Sequence, residues 1–128
     1  MKTLDLLREN PNTNDEIRKY YTELMLKQTE SLENSEDSEE FKKFVNDMKV
    51  DTYIIANIID KSPRFLFDFL DLKGLYVSTP IEWENGVPKF RCDIDGSVAE
   101  QSFSTRKEAE IYLIENAIHI LEGRLISN

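Results

Sequence analysis

The sequence reads as an α+β protein: amino-terminal helices followed by an α-β-β-β-α unit built on a three-stranded antiparallel sheet. Three features lead there. Apolar residues recur at helical spacing from Ile17 to Leu70. After Gly74 the period changes to two, punctuated by the turn dipeptides Asn85-Gly86 and Asp95-Gly96. From Thr105 the helical period returns and holds to Leu125. At 128 residues the chain has the length of one domain, read here as a helical section, 1–61, packed with a helix–three-strand–helix unit, 62–128.

Leu4, Leu6 and Leu7 precede Asn10-Pro11-Asn12, so the first helix spans about two turns and ends before the proline. Thr13-Asn14-Asp15-Glu16 has the form of a capping box, with the Thr13 hydroxyl accepting from the Glu16 amide. Ile17, Tyr20, Tyr21, Leu24, Gln28 and Leu32 then line one face of a helix over 14–32, with Asp15/Lys19 and Glu23/Lys27 as i,i+4 pairs elsewhere. From Glu30 to Glu40 there are six acids and no cation, which suits an exposed connector. Phe41, Phe44, Val45, Met48, Thr52, Ile55, Ile58 and Ile59 extend one stripe, which favours a single long helix over 39–60. Asp51-Thr52 is the alternative start of a separate helix, because aspartate caps well.

Ser62-Pro63 opens the next helix with a cap and a proline at N1; Phe65, Leu66, Phe69 and Leu70 form its apolar face, and Gly74 supplies the C′ position. Phe67 points away from that face and is the aromatic expected to meet another helix or another subunit. In the strands, Leu75, Val77, Thr79, Ile81 and Trp83 alternate with polar residues, and Trp83 is read as core; Pro80 demands an edge or a bulge. A two-residue Asn85-Gly86 turn sets Ile81 opposite Phe90, Val77 opposite Ile94 and Glu82 beside Lys89, matching apolar with apolar and anion with cation. At Asp95-Gly96 a two-residue loop, with Cys92 opposite Ala99, and a three-residue loop, with Ile94 opposite Val98, both remain open. Thr105-Arg106-Lys107-Glu108 is a second capping box. Ala109, Tyr112, Leu113, Asn116, Ala117, Ile120 and Leu121 follow on one face of the last helix, and Ile111, Ile114, Ile118 and Leu125 widen it. So apolar a helix is expected to be covered by the sheet on one side and by the 39–60 helix on another.

The second half resembles the double-stranded-RNA-binding domain, in which two helices pack on one face of a three-stranded sheet. Phe90-Arg91-Cys92-Asp93-Ile94-Asp95-Gly96 is similar to that family's second strand and turn, and Thr105-Arg106-Lys107-Glu108-Ala109-Glu110 to the segment opening its last helix. The resemblance implies phosphate contacts for Arg106 and Lys107; Lys89 and Arg91 complete a nucleic-acid reading. The chain departs from the pattern at Glu84-Asn85-Gly86-Val87-Pro88, which lacks the family's minor-groove segment, at Leu113-Ile114, where small alanines are usual, and at Glu110, where a basic residue is usual.

Charge decides between these directions. The chain holds 16 Lys+Arg against 25 Asp+Glu, a net −9, and residues 74–128 hold five cations against nine acids. Binding to a polyanion draws its affinity from a basic face, so this balance disfavours nucleic acid and anionic membrane and favours a basic protein partner. The expected docking residues are Glu33, Glu36, Asp37, Glu39, Glu40 and Phe67, with self-association through the 39–60 helix as a further expectation. One cysteine and one histidine exclude an internal disulfide and the common zinc cages. Cys92 reads as a small core residue, His119 as a partly buried structural histidine, and Asp93-x-Asp95-Gly96 as a turn rather than a calcium loop, since Ser104 stands where the bidentate glutamate belongs. No phosphate loop, nucleophile elbow or secretory leader is legible. The expectation is a cytoplasmic, non-enzymatic accessory or inhibitory protein of a bacterium or phage, with no cofactor, no metal and no catalytic residue. The other readings are an RNA-binding protein and an enzyme using carboxylates in a cleft between the helical section and the sheet.

Overall fold

The computed structural model describes residues 2–30, Glu40, Lys43 and 51–127. The acidic connector, with Glu33, Glu36, Asp37 and Glu39, and most of the first half of the expected 39–60 helix lie outside the described residues. The fold is α+β as read: helices at both ends around short antiparallel strands.

α1 covers Thr3–Glu9 and α2 Pro11–Glu30. Asn10 joins them. Its amide donates to Leu7 O at 3.2 Å and its side chain to Leu6 O at 2.8 Å, while its own carbonyl accepts from Asn14 N at 3.0 Å. One residue thus closes α1 and opens α2, with Pro11 at N1, where the missing N–H has no helical partner to lose. This corrects the capping box expected at Thr13, which lies inside the first turn, its amide capped from elsewhere in the chain. Lys19, expected to pair with Asp15, reaches Glu16 at 3.7 Å.

α3 covers Thr52–Lys61. Asp51 is extended (φ −71°, ψ 143°) and its carboxylate accepts from Tyr53 N at 3.2 Å, so the single 39–60 helix is overturned in favour of the cap. A side chain that offers the backbone its own hydrogen bond stops a helix that the apolar stripe alone would have continued. α4 covers Pro63–Leu72, and Ser62 holds the N-cap position without making the side-chain bond. Gly74 at φ +76° ends the helix: Gly74 N donates to Asp71 O at 3.0 Å and Leu75 N to Leu70 O at 2.9 Å, a Schellman closure with both leucines buried.

The strands are β1 (Val77–Ser78), β2 (Ile81–Glu84), β3 (Val87–Phe90), β4 (Asp93–Ile94) and β5 (Ser97–Val98). The register is the expected one, with Val77 opposite Ile94, Ile81 opposite Phe90 and Glu82 opposite Lys89. Pro80 cannot donate to the ladder, so the long hairpin is divided into β1–β4 and β2–β3, linked across the gap by Arg91 N to Pro80 O at 2.9 Å. Asn85 and Gly86, and Asp95 and Gly96, all have positive φ, the signature of two type I′ turns. The second loop therefore has two residues, and Ala99 N donates to Cys92 O at 2.9 Å. Beyond it the third strand is short: after Ala99 it bulges and returns only as a bridge between Phe103 and Phe90.

α5 covers Arg106–Ser127, capped by the Thr105 hydroxyl, which accepts from Glu108 N at 3.2 Å. It buries Ala109, Leu113, Ile114, Ala117, Ile118 and Leu121. β1 and β4 cover one side, while α2 packs along it on another, the place the 39–60 helix was expected to take. Ile120, expected on the buried face, is exposed, as are Ile111 and His119, so the reading of His119 as partly buried is corrected. The main core joins Leu6, Leu7, Ile17, Ile55 and Ile59 from the amino-terminal helices to Leu66, Phe69, Leu75, Ile114 and Ile118. A second cluster under the sheet is built on Cys92, Ala109 and Leu113. No described helix is long and apolar enough to cross a membrane.

Candidate functional site

β2 and β3 form an arm held to the rest of the chain chiefly at Phe90, which bridges to Phe103, packs against the second cluster and lies under Arg106 of α5. α5 covers β1 and β4 but does not extend over the hairpin beyond Phe90. The alternation of side chains is therefore preserved while one of its faces loses its cover. Trp83, read as core, is 69% exposed, with Ile81 at 42% and Val87 at 50%. This corrects the sequence reading for a physical reason: a period of two says which residues share a face, not whether anything lies on that face. Ile81 and Trp83 share the face that carries Phe90; the opposite face carries Glu82, Glu84, Lys89 and Arg91.

Phe90 N and O both pair with Phe103, at 2.9 and 2.8 Å. In an antiparallel ladder, backbone groups alternate in direction, so Val87, Lys89 and Arg91 are the residues that bond inward, answered by Glu84, Glu82 and Pro80. The N–H and C=O groups of Ile81 and Trp83 consequently face outward, along an edge that no described residue occupies. Pro88, opposite Trp83, directs its ring nitrogen away from β2, where no ladder bond is lost.

The expected site residues fall in different places. Arg91 is engaged within the fold: its guanidinium donates to Glu82 Oε2 at 3.0 Å and to the carbonyls of Ala99 and Glu100. It closes the backbone of the bulge and cancels one edge carboxylate. Arg106 stacks over the Phe90 ring at 5.4 Å on the other face, and Lys107 lies at the rim of a groove farther along α5. Lys89, Arg91, Arg106 and Lys107 thus do not gather into one surface. Glu40 is exposed. Phe67 is half-buried and packs against both hydrophobic clusters, so its ring is engaged inside the chain.

The groove, about 600 Å³, lies between α1, α3 and α5. Its floor is apolar (Leu4, Leu6, Ala56, Ile59, Ile114) and its rim mixes Lys2 and Lys107 with Asp60, Glu110 and Glu115. Thr3 Oγ1 donates to Asp60, tying α1 to α3 across one end. The carboxylates with displaced acidity lie outside this groove. Glu16 is held below the usual carboxylate range by its hydrogen bond from Lys73, at 2.9 Å. Glu122 is also held low: burial alone would raise it, but hydrogen bonds from Thr13 and Asn12 outweigh that. Burial pushes the Cys92 thiol up, and its S–H donates to Ala109 O at 3.0 Å. Among the described residues, no three His, Cys, Asp or Glu side chains gather as a metal site.

The exposed arm was missed in the sequence because the chain from Ser97 to Ser104 is long enough to line the whole of Val87–Ile94; the bulge after Ala99, which no local pattern announces, is what stops the third strand at Phe90. No protein-family model, curated protein or solved structure gives a significant match to the chain.

Proposed function

We propose that this protein is a non-enzymatic interaction module that docks a basic protein through its β2–β3 arm. The observation that carries the reading is the exposed apolar pair Ile81 and Trp83 on one face of the arm, with Glu82, Glu84 and the exposed Val87 on the other, in a chain of net charge −9. An exposed tryptophan beside a branched aliphatic residue is the composition of a binding hot spot. The net negative charge of the whole chain speeds encounter with a cationic partner and repels polyanions. An accessory or inhibitory role fits a surface whose described residues include an exposed recognition element.

Affinity capture from native lysate tests this, comparing the natural chain with Trp83→Ala and including a nuclease-treated arm. The expected result is a basic protein that survives nuclease and is lost from the variant. Captured proteins that disappear with nuclease, or that bind Trp83→Ala undiminished, would overturn the reading.

A further inference from the structure

We infer that the free edge of β2 takes up an extended segment of a partner protein as an added strand, with lysine or arginine at every second position. This rests on the arm being the docking surface and specifies how it binds.

The backbone is already arranged for it. Ile81 and Trp83 direct their N–H and C=O groups outward, as the Phe90–Phe103 pairing requires, and both residues are exposed. An open strand edge is a template for another chain, which proteins ordinarily guard with proline, bulges or charge. Here the guards are unevenly distributed. Pro80 interrupts the ladder before β2, Pro88 blunts the far edge of β3, and β2 itself is protected only by Glu82 and Glu84.

Those two carboxylates select the occupant. A second copy supplies no cation: the symmetric antiparallel registers that keep β2 paired set Glu82 against Glu82, or Glu82 against Glu84, of the other chain, so that carboxylate meets carboxylate where a cation would be attracted. A strand with cations at those positions converts the same contacts to attraction. Glu82 is already bonded to Arg91, so the uncompensated charge at the edge is that of Glu84. Because side chains alternate, cations that meet Glu82 and Glu84 place the intervening residues beside Ile81 and Trp83. The preferred segment therefore alternates Lys or Arg with apolar residues. Main-chain bonds supply affinity and the alternation supplies specificity.

The test uses the full chain and a short synthetic peptide alternating lysine and valine. Three comparators accompany it: the same peptide N-methylated at alternate amides, a glutamate–valine peptide, and a lysine-rich helical peptide. Trp83 is the only tryptophan, so its fluorescence reports the arm directly. At a peptide concentration about ten times Kd, exchange of the Ile81 and Trp83 amides should slow about tenfold. Trp83 emission should shift to the blue, and both effects should weaken with salt and vanish in Glu84→Lys. The N-methylated and glutamate peptides should do neither.

A blue shift without amide protection, or equal binding of the N-methylated or helical peptide, overturns strand addition while leaving the arm as a docking surface. No response to the lysine–valine peptide at low salt also overturns it. Protection of the same amides that grows with protein concentration alone would give the edge to a second copy and overturn the choice of occupant.

Discussion

Glu122 is the clearest case of one side chain holding distant parts of the fold together. It is 7% exposed, and its carboxylate accepts from Thr13 N at 2.7 Å and Asn12 Nδ2 at 2.8 Å, capping α2 from within α5. The first amides of α2 have no helical acceptor, and the positive end of its dipole favours an anion, so a carboxylate there does two jobs at once. With its acidity held below the usual range, its stabilising contribution is complete above the ordinary carboxylate value, about 4.3, and is lost as pH falls through the folded value. Glu122→Gln should cost about 1–3 kcal/mol at neutral pH, and its deficit against the natural chain should shrink in acid. Urea unfolding at neutral and acid pH checks this; a deficit of constant size would show that charge is not the cause. The Glu16–Lys73 pair follows the same sign but is worth less, under about 1 kcal/mol, because water screens it. The Thr105 cap was legible because donor and acceptor lie within one turn. The α2 cap was not, because Glu122 is more than a hundred residues from the amides it serves and leaves no local pattern.

Among the elements, the register of the Asn85-Gly86 hairpin was legible, whereas that at Asp95-Gly96 stayed open until the structure showed its two-residue loop, and the surroundings of both were not legible. Asn-Gly fixes turn geometry locally, and the turn then dictates every pair along the ladder. Pro80 could be read as a break for the same reason. Helix cover could not, since it depends on where α5 starts and how it lies. Arg91 shows the consequence: named only in the alternative nucleic-acid reading, it closes a bulge within the fold. Arg91→Ala should destabilise the fold by about 1–2 kcal/mol, because the carbonyls of Ala99 and Glu100 and the Glu82 carboxylate lose their donor. A freely solvated cation would give no measurable change in thermal unfolding. Trp83→Ala should leave stability within about 0.5 kcal/mol, as for other surface substitutions, while removing partner binding. Loss of both would make Trp83 part of the folding core instead.

Across the molecule, the main core takes residues from both the 1–61 and the 62–128 sections. The last helix shows why neither suffices alone: one side lies on β1 and β4, another on α2, and Ile114 and Ile118 join the cluster that holds Ile55 and Ile59. Expressed alone, 62–128 leaves that surface in water and should give poor NMR dispersion and no cooperative thermal transition. A sharp transition at the temperature of the whole chain would show that the unit is self-sufficient. The net charge of −9 adds mutual repulsion between copies.

Periodicity, turn dipeptides and composition were enough to establish the α+β architecture, the register of the Asn85-Gly86 hairpin, the Thr105 cap and the net negative charge. Each depends on residues near one another in the chain or on a simple count. Where α2 begins and what caps it, which helix covers α5, the engagement of Arg91 and the exposure of Trp83 emerged only once the elements were assembled. Burial belongs to whichever neighbour arrives from elsewhere, and an alternating pattern is the same whether a helix or water lies over it.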